Sequence, residues 1–241
     1  MIILIFIILH WYLSLFSQTF FLHRYGAHKM FTMNKFWEKY FYIFSWITQG
    51  SSYLNARAYA ILHRMHHAYS DTEKDPHTPH FFKDAYAMMK HTRRIYNDIL
   101  NKRVVVDDKF DRNFPEYQKI DRIADNGYIR LLFALGYVSF YIIFATHWWM
   151  FLFLPIHFFI GPIQGAIVNW SGHKYGYRNF NDSDKSKNSL IWDILLMGEL
   201  YQNNHHHAGS KPNFAVKWFE FDPTYPIIWT FDKIGIIELA R

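Results

Sequence analysis

Polar and apolar positions segregate along this chain over distances far longer than a helical turn. No Asp, Glu, Lys or Arg occurs from Met1 to Leu22, nor in the 43 residues from Leu131 to His173. A helix crossing a bilayer needs about 20 consecutive, mostly apolar residues. The first stretch therefore predicts one span (1–22) and the second predicts two (131–150 and 151–170). A further stretch, 36–57, keeps only 15 uncharged residues between Lys39 and Asn55, which suits a short or interfacial segment better than a full crossing. The first stretch has no basic start and is longer than the roughly 7–15-residue core of a signal peptide, so it reads as a retained span. The remaining pattern predicts a helix over 59–70 and a turn over 71–79, where Asp-Pro and Thr-Pro steps fall. Surface helices are expected within 81–125, with a loop near 106–115, and another helix over 190–201.

The charges give these spans a direction. All 26 Lys and Arg lie either between His23 and Arg130, where there are 18, or from Lys174 onward, where there are 8. One span leads into the first region and a two-span hairpin leaves it and returns. Both regions then face one side, which the positive-inside rule makes cytoplasmic. The expected architecture is a single all-α membrane domain over 1–241. It has three to four transmembrane helices and a cytoplasmic helical cap (58–130 and 174–241). The net charge of +6 fits a basic face beside anionic lipid, and nothing in the pattern reads as a nucleic-acid-binding module. The absence of cysteine removes disulfides, thiolate metal sites and cysteine nucleophiles together.

Histidine placement carries the chemistry. Fifteen occur, and three clusters stand out: His23 with His28; His63, His66 and His67; and His205, His206 and His207. Positions three and four apart share a helix face, so His63 can converge with both His66 and His67. His23 and His28 are five apart, which a straight α-helix would splay, and Gly26 is expected to let the chain turn between them. With the isolated His173, the clusters offer more imidazoles than one tetrahedral ion takes, which points to two metals. Imidazole alone does not choose between iron, zinc, copper and nickel. His10, His147 and His157, inside the spans, are expected to hydrogen-bond between helices, and His77 to fix the turn at Asp75-Pro76. Asp75 and Glu199 are each expected either to orient a ligating imidazole or to cap a helix.

At these residues the chain resembles the integral-membrane fatty acid desaturases. His23-x4-His28 and His63-x2-His66-His67 are similar to the first two histidine boxes, and Gly198-Glu199-Leu200-Tyr201-Gln202-Asn203-Asn204-His205-His206 to the third. Asn169-x3-His173 and the tail Phe219-Glu220-Phe221-Asp222-Pro223-Thr224-Tyr225 resemble the acyl-CoA and acyl-lipid Δ9-type branch. The resemblance implies an O2-dependent enzyme that places a cis double bond in a long-chain fatty acyl group, on CoA or on a lipid. It implies two iron ions and electrons from a separate donor such as a ferredoxin, cytochrome b5 or a reductase. One iron would take His23, His28, His63, His67 and His205. The other would take His66, His173 and His206, with Asn169 reached through water. Gln202 stands where the third box usually begins with His, and is expected to ligate the second iron through its amide oxygen. Tyr59, Ile61 and Leu62 replace the Trp, Arg and Asp that acyl-CoA desaturases carry before the second box. The family usually has two spans ahead of the first box, against one here, as in a compact variant or a chain whose start lies further upstream. A membrane di-iron hydroxylase is the competing enzyme reading, and a histidine-rich metal-binding or transport protein the competing non-enzyme.

Overall fold

The computed structural model describes residues 1–240. Helix α1 (Ile2–Phe16) is apolar nearly all round and leaves Ile2, Leu4, Ile5, Ile8, Leu9 and Leu13 exposed. It runs on into a π-helical segment, Ser17–Ala27, in which every residue is buried. The combined 26-residue rod is long and apolar enough to cross a membrane. A two-residue strand β1 (Phe31–Thr32) follows, then α2 (Lys35–Gln49), started by the Asn34 side chain accepting from the Trp37 N–H. Helix α3 (Ala56–Tyr69) is capped in the same way by Asn55, and α4 (Ala85–Leu100) by Asp84, each satisfying an otherwise orphaned N–H. A short α5 (Gln118–Ala124) leads to α6 (Gly127–Phe144), the second helix able to span a membrane.

Helix α6 runs antiparallel to α1, with the Phe6 ring 4.4 Å from Phe140 and His10 5.0 Å from Tyr137. The return limb differs from the single span expected over 151–170. It is made of a 3-10 turn, a short α7 (Leu154–Phe158) and α8 (Ile160–Lys174), the two limbs bent by 71°. The His10 and His157 Nδ1 atoms lie 2.7 Å apart, and Tyr141 Oη is 2.9 Å from the other His157 nitrogen. These two histidines therefore link helices within the apolar half, as expected of them. His147 instead sits in the exposed turn after α6, beside Thr146.

The chain after Lys174 is mostly turns. The helix expected over 190–201 does not form, because Met197 and Gly198 take φ of 52° and 92°, a left-handed conformation that a right-handed helix cannot hold. The buried Asp193 carboxylate accepts the N–H groups of Leu196 and Leu200 instead. Helix α9 is only Gln202–His207, and α10 (Thr224–Lys233) lies across α1 and α2, with Phe231 against Phe16, Phe20 and Phe41. Strand β2 (Glu238–Leu239) pairs antiparallel with β1, so the C-terminal end closes onto the segment that leaves the first rod.

Candidate metal centre

Four stretches remote in sequence bring imidazoles to one place: the end of the first rod, α3, the end of α8, and α9. The π-helical segment explains how His23 and His28 meet. Its hydrogen bonds run from residue i to i+5, and the His28 N–H donates to the His23 carbonyl at 3.1 Å. Residues five apart therefore share a face, and the two rings lie 5.1 Å apart. The expected turn at Gly26 is not needed; the helix winding itself brings them together.

The imidazoles fall into two groups, in each of which one donor atom per residue lies within 4.8 Å of the others. His23, His28, His63, His67 and His205 form one, and His66, His173 and His206 the other. The division coincides with the histidines of the two ligand sets that the resemblance implies, and a third group, His66 with Asp75 and His77, overlaps the second. Nε2 atoms face one another at 3.0 Å (His23 and His205; His67 and His205), 2.7 Å (His28 and His63) and 3.1 Å (His66 and His206). Burial, reinforced by the neighbouring imidazoles, holds the pKa of His28, His63, His66, His67 and His205 well below the ordinary value. These rings are neutral at pH 7, the form that can ligate a metal.

Carboxylates fix which nitrogen carries the proton. The Nδ1–H of His66 donates to Asp75 at 2.9 Å, that of His173 to Asp71 at 2.9 Å, and that of His206 to Asp184 at 2.6 Å. Each Nε2 is then a bare lone pair, and these three lone pairs converge. Uncharged lone pairs facing one another across about 3 Å repel, and a donor set of this kind could hold a metal ion between them. His23 is held in the same way, its Nδ1 2.7 Å from Glu199. Asp75 and Glu199 thus orient ring nitrogens rather than cap helices.

Behind Glu199 lies a buried ion-pair chain. Arg24 is fully buried, with one amino group 3.2 Å from Glu199 and the other 2.8 Å from Asp222. Thr19 also hydrogen-bonds to both Glu199 and Arg24. The guanidinium lies 3.8 Å above the Phe214 ring, which in turn packs on His205 at 4.4 Å. Asp222 further accepts the Phe214 and Thr224 N–H groups.

Among the other expected residues, Asn169 is half-buried one turn before His173 on α8 and shares its face. Gln202 is buried, its amide donating to the Glu199 carbonyl at 2.6 Å and its stem pressed against Gly172. The His77 backbone N–H donates to Asp75, but its ring does not fix the turn. The ring nitrogens have no hydrogen-bond partner among the described residues, and the ring lies 4.2 Å from His66 in a group with Asp75 that could hold a metal ion. His207 is partly exposed, paired with Asp182 and stacked on Phe180 at 3.7 Å. Asp71, Asp184, Arg24 and Asp222 are the site residues that the sequence reading missed. Arg24 had a local signal in its place next to His23, and Asp222 in its place within the tail motif.

A helical membrane protein with a buried two-part histidine centre is the class that fold and site define. The profile of the fatty acid desaturase family matches residues 1–234, and the chain belongs to that family. It is similar to the Delta-9 desaturase-like 4 protein of Arabidopsis thaliana, 27% identical over 228 residues that cover 93% of this chain and 71% of that one. An sn-1 stearoyl-lipid 9-desaturase of Anabaena variabilis is 26% identical, covering 95% of this chain and 80% of the relative. Another of that name, from Synechocystis sp., is 30% identical, covering 90% and 64%. The protein is an oxidoreductase, a fatty acyl desaturase, and its family uses a fatty acyl substrate and O2.

Proposed function

We propose that this chain is a di-iron desaturase that introduces a cis double bond into a long acyl chain carried by a membrane lipid, with electrons delivered by a separate protein. One iron is held by His23, His28, His63, His67 and His205. The second is held by His66, His173, His206 and the Gln202 amide oxygen, with Asn169 reached through water. The observation that carries the reading is the convergence of the His66, His173 and His206 Nε2 lone pairs, each fixed by its own carboxylate.

When bound, iron supplies from O2 the oxidant that an unactivated methylene demands and no side chain provides. The chain's own residues do the rest. Asp71, Asp75, Asp184 and Glu199 lock the imidazole tautomers so that the donor set is preorganised. The buried apolar shell, including Phe214 and Tyr59, excludes water from the first group, as a strongly oxidising site requires. Ile61 and Leu62 are buried in the core of α3, where they offer no contact to a CoA phosphate. The lipid-linked substrates in the names of two relatives point the same way.

Expression in a host lacking its own desaturase, with fatty acids analysed by lipid class, tests this reading. Unsaturated acyl chains should appear in membrane lipids, each two hydrogens lighter than its precursor. A gain of one oxygen would show a hydroxylase instead, and product confined to the acyl-CoA pool would refute the lipid-linked substrate. Purified protein should contain about two irons, since a single ion takes only about four to six of the donors present.

A further inference from the structure

The turn that replaces the expected helix before α9 has its polarity inside out. Between Leu190 and Leu195 the one charged residue, Asp193, is fully buried. Its neighbours turn outward: Ile191 is 58% exposed, Trp192 67%, Ile194 54% and Leu195 51%. Large apolar side chains grouped this way on a surface mark a contact site rather than a water-facing loop. Leu190 is exposed beside them, and Trp229 on α10 is 51% exposed. Ile227 of α10 packs on the Leu15, Leu196 and Leu200 cluster from which the turn emerges.

The position of this turn along the first rod says what covers it. Arg130 on α6 binds the Ser51 and Tyr53 carbonyls and the Asp125 carboxylate, and so marks the polar edge of the spans. Tyr137 lies seven residues further along α6, about 10 Å deeper at 1.5 Å per residue. His10 packs beside Tyr137, so the adjacent Trp11 lies at nearly the same depth. The Trp11 indole N–H donates to the Leu195 carbonyl at 3.0 Å. The tip of the turn is therefore on the apolar side of the polar edge, next to the exposed face of α1. Interfacial segments bury their apolar side about 5–10 Å into the headgroup–acyl boundary, which is where this geometry puts Ile194 and Leu195.

We infer that Leu190–Leu195 is a membrane-immersed wedge. It is a second lipid contact of the part expected to be a cytoplasmic cap, and its occupant is the acyl region of the leaflet nearest the metal centre. The inference rests on the reading of α1 and α6 as spans. It gives lipid a direct hold on the site, because the wedge continues through Leu196 and Met197 into Glu199, which orients His23.

The chain has no cysteine, so single cysteines report without background. Ile194→Cys, Leu195→Cys, Ile142→Cys on exposed α6 and Lys211→Cys on an exposed loop would each be labelled with an environment-sensitive fluorophore. The variants are then reconstituted into phosphatidylcholine–phosphatidylglycerol vesicles containing lipids with a nitroxide near the acyl carbonyls or, to reach Ile142 about 18 Å beyond Arg130 on α6, midway along the acyl chain. Labels at 194 and 195 should be quenched clearly above the Lys211→Cys reference. In unlabelled vesicles these thiols should react about tenfold more slowly than Lys211→Cys with a membrane-impermeant maleimide, as for a segment below the headgroups. Quenching at Ile142→Cys with none at 194 or 195 overturns the wedge and leaves the spans standing. No quenching at Ile142→Cys overturns both. Slow maleimide reaction at 194 and 195 without lipid quenching shows that a protein, or a second copy of this chain, covers the face, and also overturns the wedge.

Discussion

At the scale of single residues, the centre depends on protons being in the right places. Folding depresses the pKa of His28, His63, His67 and His205, chiefly by burial, below the ordinary 6.5. Above about pH 6.5 these rings are neutral in both folded and unfolded chains and add no pH dependence. Below it the unfolded chain binds protons that the folded one refuses, so stability is lost as pH falls. The melting temperature of the metal-free protein should be flat from about pH 7 to 8 and drop below about 6.5; a rise on acidification would contradict the neutral assignment. Asp184→Asn and Asp75→Asn should each weaken iron retention roughly 10–100-fold, read by titration with a chelator while α-helical content stays unchanged. Gln202→Ala should lower iron content at one site, whereas Gln202→His should keep it; full iron and full activity in the alanine variant would remove Gln202 from the ligand set. The imidazoles were legible in the sequence because spacings of three and four already imply one helix face. Asp71 and Asp184 were not, because a carboxylate becomes a histidine's partner only once distant loops have folded against it.

At the scale of elements, two local windings decide the site, and neither has a sequence signature that hydrophobic periodicity can detect. The π-helical end of the first rod puts His23 above His28. The left-handed pair Met197–Gly198 aims Glu199 inward. Residues 190–197 are apolar but for Asp193 and read as a continuous helix, yet Gly198 is the more informative residue. A Cβ there would sit 2.4 Å from an Asp222 carboxylate oxygen, on a backbone with φ of 92°. Gly198→Ala should therefore cost more than the roughly 1 kcal/mol of an ordinary left-handed alanine, and should disturb the Asp222–Arg24 pair as well. Chemical denaturation should show a loss of about 2 kcal/mol or more, with iron content reduced in parallel. Stability equal to the parent would mean that the turn relaxes freely, and that Glu199 does not depend on it. The spans were legible because exclusion of charge over 20 residues is a strong pattern. The 71° break between α7 and α8 was not, since the residues on both sides are equally apolar.

At the scale of the molecule, the first rod and the C-terminal part are joined by one buried ion pair 198 residues apart in sequence. Arg24 and Asp222 are both fully buried. Removing Asp222 leaves Arg24 with Glu199 at 3.2 Å, but removing Arg24 leaves Asp222 as an uncompensated charge. That typically costs about 3–5 kcal/mol, whereas an exposed pair would contribute under about 1 kcal/mol. Arg24→Met should accordingly lower stability by about 3–5 kcal/mol in the metal-free protein. The loss should not stop at folding. Arg24 also holds Glu199, and Glu199 holds His23, so the first iron should be released at lower chelator concentration. Arg24 and Asp222 act as one unit, which a double variant can show. Arg24→Met combined with Asp222→Leu removes both charges and leaves Glu199 its His23 and Thr19 partners, so it should recover most of the stability lost by Arg24→Met. It should not recover iron retention, because Glu199 would then lack its guanidinium partner. Stability and iron returning together would mean that the ion pair serves folding alone. Stability returning without iron would place the pair in the support of the metal centre, and would tie the last twenty residues of the chain to the chemistry at the end of the first helix.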